Sequence, residues 1–269
     1  MAESIYLEAT PVRLPSEVFR LYQYIVTDLN RSPGIIVEDG CTEFMFVKQP
    51  DIRLKIDGLD PVYVPRAFSA GKFTRPFKYE YRGEMNYFAV KLQPWTARHF
   101  IPEVLNGLID LSTIYGPEIQ DLSDEIFECA SFEKMVQASE DFFSKVEMPT
   151  PSSYKLAMNV CRRVYASDGM VSIRELVSEF SESRQRINRD FLYHTRHSLK
   201  EFAVLVKIRA AIKFKAENPG ISLTDLAHEF GYFDQSHFNR DMKKATGVTP
   251  TFFFSSQNFI KDQLQKMRA

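Results

Sequence analysis

Histidine, cysteine and tryptophan are scarce in this chain of 269 residues, with 5, 3 and 1 respectively. The three thiols, Cys41, Cys129 and Cys161, are odd in number and far apart. That pattern suits reduced side chains in a cytoplasmic protein better than a disulfide framework. A membrane span needs about 18 or more consecutive apolar residues, and no stretch approaches that length. Glu3, Glu8, Arg13 and Glu17 interrupt the N-terminal segment where a signal peptide would be continuously apolar. The expected location is therefore the cytoplasm, with no membrane partner. A metal-dependent enzyme of the cupin kind needs several histidines, and the first 150 residues hold only His99. His194 and His197 lack the cysteine or carboxylate cluster that would complete a metal site. Cys41, beside Asp39 and Glu43, has no neighbouring histidine to activate it and reads as a small hydrophobe. No catalytic residue, metal or cofactor is assigned, and no enzymatic activity is expected.

What is present is a folded-protein composition, 44% hydrophobic and 26% charged, on a chain long enough for two domains. The formal net charge of -1 conceals a division. Residues 1–150 carry 15 Lys and Arg against 23 Asp and Glu, whereas residues 151–269 carry 19 against 12. Only the second half would attract a phosphate backbone and release its counterions. Between them, Met148 to Ser153 contains two prolines and three hydroxyl residues, a composition that punctuates structure. The expected organisation is a regulatory domain over 1–148, a linker over 149–153, a DNA-binding domain over 154–257 and a tail over 258–269.

The N-terminal half reads as α+β, a small β-sandwich or barrel plus helices. Short runs rich in branched and aromatic residues, at Ile35–Val37, Phe44–Val47, Ile52–Ile56, Val62–Val64 and Tyr87–Leu92, alternate with turn pairs such as Asp39-Gly40 and Asp57-Gly58. Amphipathic spacing then takes over, first at Ile119, Leu122 and Ile126, then at Met135, Val136, Phe142 and Phe143. These two helices have two readings, packing on their own sheet or on a second copy of the chain. Phe44, Phe46, Tyr63, Phe68, Tyr87 and Trp95 are candidates to line a small-molecule effector pocket, although such residues also make ordinary core.

The C-terminal half reads as all-α. Ser152 or Ser153 is placed to cap a first helix that Gly169 ends. Ser172 with Glu175 makes a capping-box pattern ahead of a short helix, and Ser183 caps a following polar helix over Ile187 and Phe191. The same unit recurs with Ser222, Leu226, Ala227 and Phe230, then Gly231, then Asp234 capping a helix around Phe238. Between the copies runs a long apolar-periodic helix that Asn218-Pro219-Gly220 stops. A short helix, a turn and a second helix with an Arg, Gln and Asn outer face form a helix-turn-helix. Arg can bond guanine O6 and N7, and Asn or Gln can bond adenine N6 and N7. Two such units on a stiff connector suit successive major grooves, roughly 34 Å apart.

The stretch from Leu223 to Pro250, with Ala227, Gly231, Phe238, Arg240, Lys243, Gly247 and Pro250 in register, resembles the signature of the AraC/XylS family of transcription regulators. The Ile173–Phe191 segment resembles the family's first helix-turn-helix, with Val177 in place of its usual alanine and Thr195 in place of its usual glycine. The resemblance implies DNA-binding residues Arg184, Gln185, Arg186, Asn188 and Arg189 in one recognition helix. In the other it implies Gln235, Ser236, His237, Asn239 and Arg240, with Lys243 and Lys244 near phosphate. The N-terminal half is similar to a sensing domain on some family members through Tyr6–Pro11, Val37–Phe46 and Val90–Pro94, with Glu38 where proline is usual. A bacterial transcription factor is the implied function, with promoter DNA as partner, RNA polymerase where it activates, and a small-molecule effector and a homodimer as further candidates. The competing reading is a metabolite-binding or enzymatic N-terminal domain whose helical half is an interaction module.

Overall fold

The computed structural model describes residues 5–28, 39–49, 52–56, 60–70, 77–80, 84–102 and 107–255. The strand expected at Ile35–Val37 lies outside them. The described residues form two compact units. One runs to Pro149, and the other takes Thr150 onward together with Asp39 and Gly40.

The described residues of the first unit form nine strands, β1 (Ile5–Ala9), β2 (Phe19–Asp28), β3 (Thr42–Val47), β4 (Arg53–Ile56), β5 (Val62–Tyr63), β6 (Ala67–Ala70), β7 (Phe77–Glu80), β8 (Glu84–Leu92) and β9 (Leu108–Asp110). Six make an antiparallel sheet in the order β1-β2-β8-β3-β6-β9, and three make a second sheet, β5-β4-β7. The period of two along each strand sorts side chains between two cores. Phe44 and Phe46 of β3, Phe88, Val90 and Leu92 of β8, and Tyr22 of β2 face one way. Met45 and Val47, Tyr87 and Ala89, and Ile25 face the other, where Ile52 and Val64 beside the small sheet join them. Register agrees, because Met45 pairs with Ala89 and Phe46 with Phe88.

Helices cover the first of these faces. After the short η1 (Pro94–Thr96), α1 (Ala97–Phe100) and α2 (Ser112–Tyr115) come α3 (Glu118–Glu128) and α4 (Phe132–Phe143). Ile119, Leu122 and Ile126 of α3 and Met135, Val136, Ala138 and Phe143 of α4 enter the same core as the sheet's phenylalanines. Of the two arrangements the sequence left open, the helix pair packs on its own sheet. Ser131 caps α4 by accepting from Lys134 N. Glu140, 2% exposed, accepts from the backbone nitrogens of Val12 and Arg13 and from Arg13 Nε, which fastens the β1–β2 connection to α4. Burial, aided by the Glu140 charge, pushes the nearby Tyr22 phenol up from its ordinary pKa.

Among the described residues the second unit has helices and no strands, with α5 (Pro151–Ala166), α6 (Ile173–Phe180), α7 (Arg184–Thr195), α8 (Leu199–Glu217), α9 (Leu223–Glu229), α10 (Gln235–Thr246) and α11 (Pro250–Ser255). Helix α5 begins earlier than the sequence suggested. Thr150 is its N-cap residue and Pro151 its first helical residue, so Ser152 and Ser153 sit inside the first turn rather than capping it. Proline suits that position because its fixed φ is helical and its missing N–H would have had no partner. Gly169 follows the helix at φ +76°, with its N–H on Val164 O. A Cβ there would lie 2.2 Å from Ala203 O of α8, so no larger residue fits between these two helices.

Helix α8 serves both halves of this unit. Ser198 and Glu201 form a capping box at its start. Asn218 ends it, and Lys215 Nζ donates to Pro219 O and Ile221 O across the stop. Near its start Phe202 meets Phe191 of α7 and Tyr165 of α5 edge-on. Nearer its end Ile208, Ala211 and Ile212 join Leu226 and Ala227 of α9, Phe230 just past its end, and Phe238 and Met242 of α10.

Candidate nucleic-acid interface

Two helix–turn–helix pairs, α6–α7 and α9–α10, repeat almost residue for residue. Ser172 and Ser222 cap the first helices, accepting from Glu175 N and Asp225 N, and the Ser172–Glu175 capping box closes in both directions. Left-handed residues end those helices, Ser181 at φ 52° in one pair and Gly231 at φ 68° in the other. Ser183 and Asp234 then cap α7 and α10 by accepting from Arg186 N and His237 N. The inner faces are sealed by Ile187 and Phe191 in α7 and by Phe238 and Met242 in α10.

The far ends match as closely. Thr195 Oγ1 donates to Phe191 O at 2.8 Å and accepts from His197 N. Thr246 Oγ1 does the same with Met242 O, at 2.8 Å, and Val248 N. Each helix stops on a left-handed residue, Arg196 at φ 63° and Gly247 at φ 78°. This corrects one expectation from sequence. Thr195 aligns with Thr246, and Arg196 is the residue standing where the second pair has its glycine.

The twelve residues expected to contact DNA divide by exposure. Arg184, Gln185, Arg186, Asn188 and Arg189 of α7 are all exposed, on the side opposite Ile187 and Phe191. Ser236, His237, Arg240, Lys243 and Lys244 of α10 are exposed, while Gln235 and Asn239 are half-buried. Arg186 pairs with Glu182 at 3.0 Å. Thr224 Oγ1 of α9 donates to Gln235 Oε1 at 2.8 Å. The Asn239 Oδ1 atom is buried without a partner.

His237 stands edge-on to the Tyr232 ring, 5.1 Å between centroids, with Nε2 3.7 Å from Asp241 Oδ2 one turn along α10. Lys207 of α8 lies over the other participant, with Nζ 5.0 Å from the Tyr232 ring centre. Burial lowers the Lys207 pKa, which the Asp241 charge opposes; burial raises that of Tyr232, and Asp241 adds to the rise. Sequence reasoning passed over Thr224, Tyr232, Asp241 and Lys207. The four-residue step from His237 to Asp241 was a readable signal. Nothing in sequence marks a threonine eleven residues before the glutamine it holds.

Residues 176–256, spanning both pairs, match the family model of a helix-turn-helix domain. The C-terminal region is an AraC-type helix-turn-helix domain. With it the chain is a DNA-binding regulator in the broad sense. The AraC-type domain follows a second matched segment, residues 15–113, described as a domain of unknown function, DUF6597. No curated protein matches the chain. Solved structures similar to it include ToxT from Vibrio cholerae, at 12% identity and TM-score 0.46 over 94% of this chain and 97% of that one. An apo ToxT variant from V. cholerae strain SCE256 gives 14% identity and TM-score 0.47, over 87% and 97%. Wild-type ToxT bound to an unsaturated fatty acid gives 13% and 0.45, over 90% and 97%.

The six aromatic residues considered for an effector pocket do not share a surface. Phe44 and Phe46 are fully buried under α3 and α4. Trp95 is buried with Nε1 on Glu17 O, and Tyr63 is 56% exposed beneath the Arg53 guanidinium. Phe68 and Tyr87 alone lie together on the opposite face of the large sheet. That face also holds Gln23, 3% exposed, and Lys91, 6% exposed, whose Nζ is 2.7 Å from Glu43. Among the described residues no group of three or more His, Cys, Asp or Glu is placed to hold a metal ion, and no helix is long and apolar enough to cross a membrane.

Proposed function

We propose that the protein is a sequence-specific transcription regulator whose helices α7 and α10 enter successive major grooves on one face of promoter DNA. The observation that carries this reading is the twofold repeat of a capped polar helix, each copy presenting exposed cationic side chains from a sealed apolar base. Arg189 and Arg240 occupy the same place in the two copies and are assigned to base edges, with Gln185, Asn188 and Gln235. Lys243 and Lys244, in the last turn of α10, are assigned to phosphate, where they set register and affinity rather than sequence preference. The 19 residues of α8 make a rod about 28 Å long, a connector stiff enough to hold two reading heads near the roughly 34 Å repeat of the groove. The sheet unit, residues 1–148, is the regulatory part in this reading. A small-molecule effector would sit on the face bearing Phe68 and Tyr87.

Mobility shifts with the gene's own upstream DNA test the proposal, comparing the full chain with Arg189→Ala and Arg240→Ala. Loss of about 1–3 kcal/mol on the preferred site, with weaker loss on random DNA, is the expected result. Equal loss on both would reduce these arginines to phosphate contacts, and absence of any shift would remove the DNA reading.

A further inference from the structure

Helix α10 carries two primary-amide side chains, Gln235 and Asn239, four residues apart and therefore on one face. Each amide has one accepting oxygen and one nitrogen with two donor hydrogens, on opposite sides of the terminal carbon. In both residues the oxygen is engaged by a neighbouring helix or covered. Gln235 Oε1 receives the Thr224 hydroxyl at 2.8 Å, and Asn239 Oδ1 is buried. An oxygen so held turns the NH2 group outward. Arg240, next in sequence to Asn239, has only donors. His237, which interrupts this row, is engaged by Tyr232 and Asp241.

We propose that α10 offers the groove a surface of hydrogen-bond donors and so reads guanine, with Thr224 as the positioning residue that fixes the Gln235 amide. The inference rests on the DNA reading above and sharpens it. Guanine presents two acceptors in the major groove, N7 and O6. Adenine presents N7 beside the N6 donor, which would set donor against donor. The familiar glutamine–adenine pair needs the amide oxygen facing the base, and in the structure that oxygen is taken by the Thr224 hydroxyl. The matching position in α6 is Arg174, which has no hydroxyl to play this part, so the constraint belongs to the second unit alone.

The test is a selection of bound sequences by the full-length protein, followed by affinity measurements on the selected site. The base pair read by Gln235 is the one whose preference disappears in Gln235→Ala. Guanine is expected there, and replacing it with adenine should weaken binding about tenfold. Inosine keeps N7 and O6 and should bind like guanine. Thr224→Val frees the amide to turn over and should shrink the guanine-to-adenine ratio several-fold, while Thr224→Ser, which restores the hydroxyl, should return it. A role confined to holding α9 and α10 together would lower affinity for every sequence alike and leave that ratio unchanged. Adenine at the Gln235 position, or a ratio indifferent to Thr224→Val, overturns the inference while leaving DNA binding intact. Wild-type protein without any sequence preference would instead defeat the reading it rests on.

Discussion

The two helix-turn-helix units reach one geometry through different chemistry. Both cap their helices with short polar side chains, both seal the base with a pair of large apolar residues, and both close the recognition helix with a threonine bonded back four residues. They differ in what surrounds the reading surface. In the first unit Arg184, Gln185, Asn188 and Arg189 project from a helix on which Arg186 pairs with Glu182 and His194 Nε2 lies 4.0 Å from Asp190, each one turn away. In the second, Thr224, Tyr232, Asp241 and Lys207 reach the recognition helix from neighbouring elements or the next turn. Held side chains lose less freedom on binding, so they discriminate more sharply, whereas unheld ones accommodate varied partners at a larger entropic cost. On the DNA reading proposed above, the first unit would be suited to affinity and tolerance, the second to base discrimination.

The comparison breaks first in the two sealed bases. Phe191→Ala and Phe238→Ala each remove a fully buried ring and should cost about 3–5 kcal/mol in urea unfolding of the full chain. A markedly smaller loss in one would mean that its unit is loosely packed and that the repeat is only superficial. Next come the arginines. Arg240→Ala should cost about 1–3 kcal/mol on the preferred site and relax preference at one base pair. Arg189→Ala should cost a similar amount while changing selected sequences less, and the reverse ranking would invert the assignment of roles. Lys243→Ala should weaken binding to all DNA and reduce the salt dependence by about one ion.

Smaller effects probe the matched ends. Thr195→Val and Thr246→Val delete equivalent buried hydroxyls and should each lower stability by about 1–2 kcal/mol, since the His197 and Val248 backbone amides lose their acceptor. Unequal values would show that the two clasps are not equivalent. The smallest change concerns the left-handed turns. Ser181→Gly should raise stability by about 0.5–1 kcal/mol and Gly231→Ser lower it by a like amount, because only glycine adopts positive φ without strain. Thermal unfolding of both variants checks the sign.

Much of the helical unit was legible because its signals are local. Ser172 with Glu175, Ser183, Ser222 and Asp234 sit where the structure uses them, each capping the helix that follows. Arg196 escaped notice because arginine does not advertise a positive φ, and the reading placed the family's glycine one residue early. Strands were harder. In β2, Tyr22 faces one core while Ile25 and Gln23 are buried on the other side, so both faces are covered and no polar alternation marks the strand. The short β6 and β9 have too few residues to show a period at all. The aromatic candidates failed to group for a related reason. Phe44, Phe46 and Tyr87 each look like pocket lining in sequence, but which sheet face a residue takes depends on register with strands far away in the chain.

Helix α8 has a consequence for the target as well as for the protein. Its first half is built into one reading head through Phe202 and its second half into the other through Ile208, Ala211 and Ile212. Each residue added midway would rotate one head against the other by about 100° and slide it about 1.5 Å along the rod. If both heads read DNA as proposed, the tolerated gap between half-operators is a count of amino acids, and a promoter can change that gap only in step with this helix.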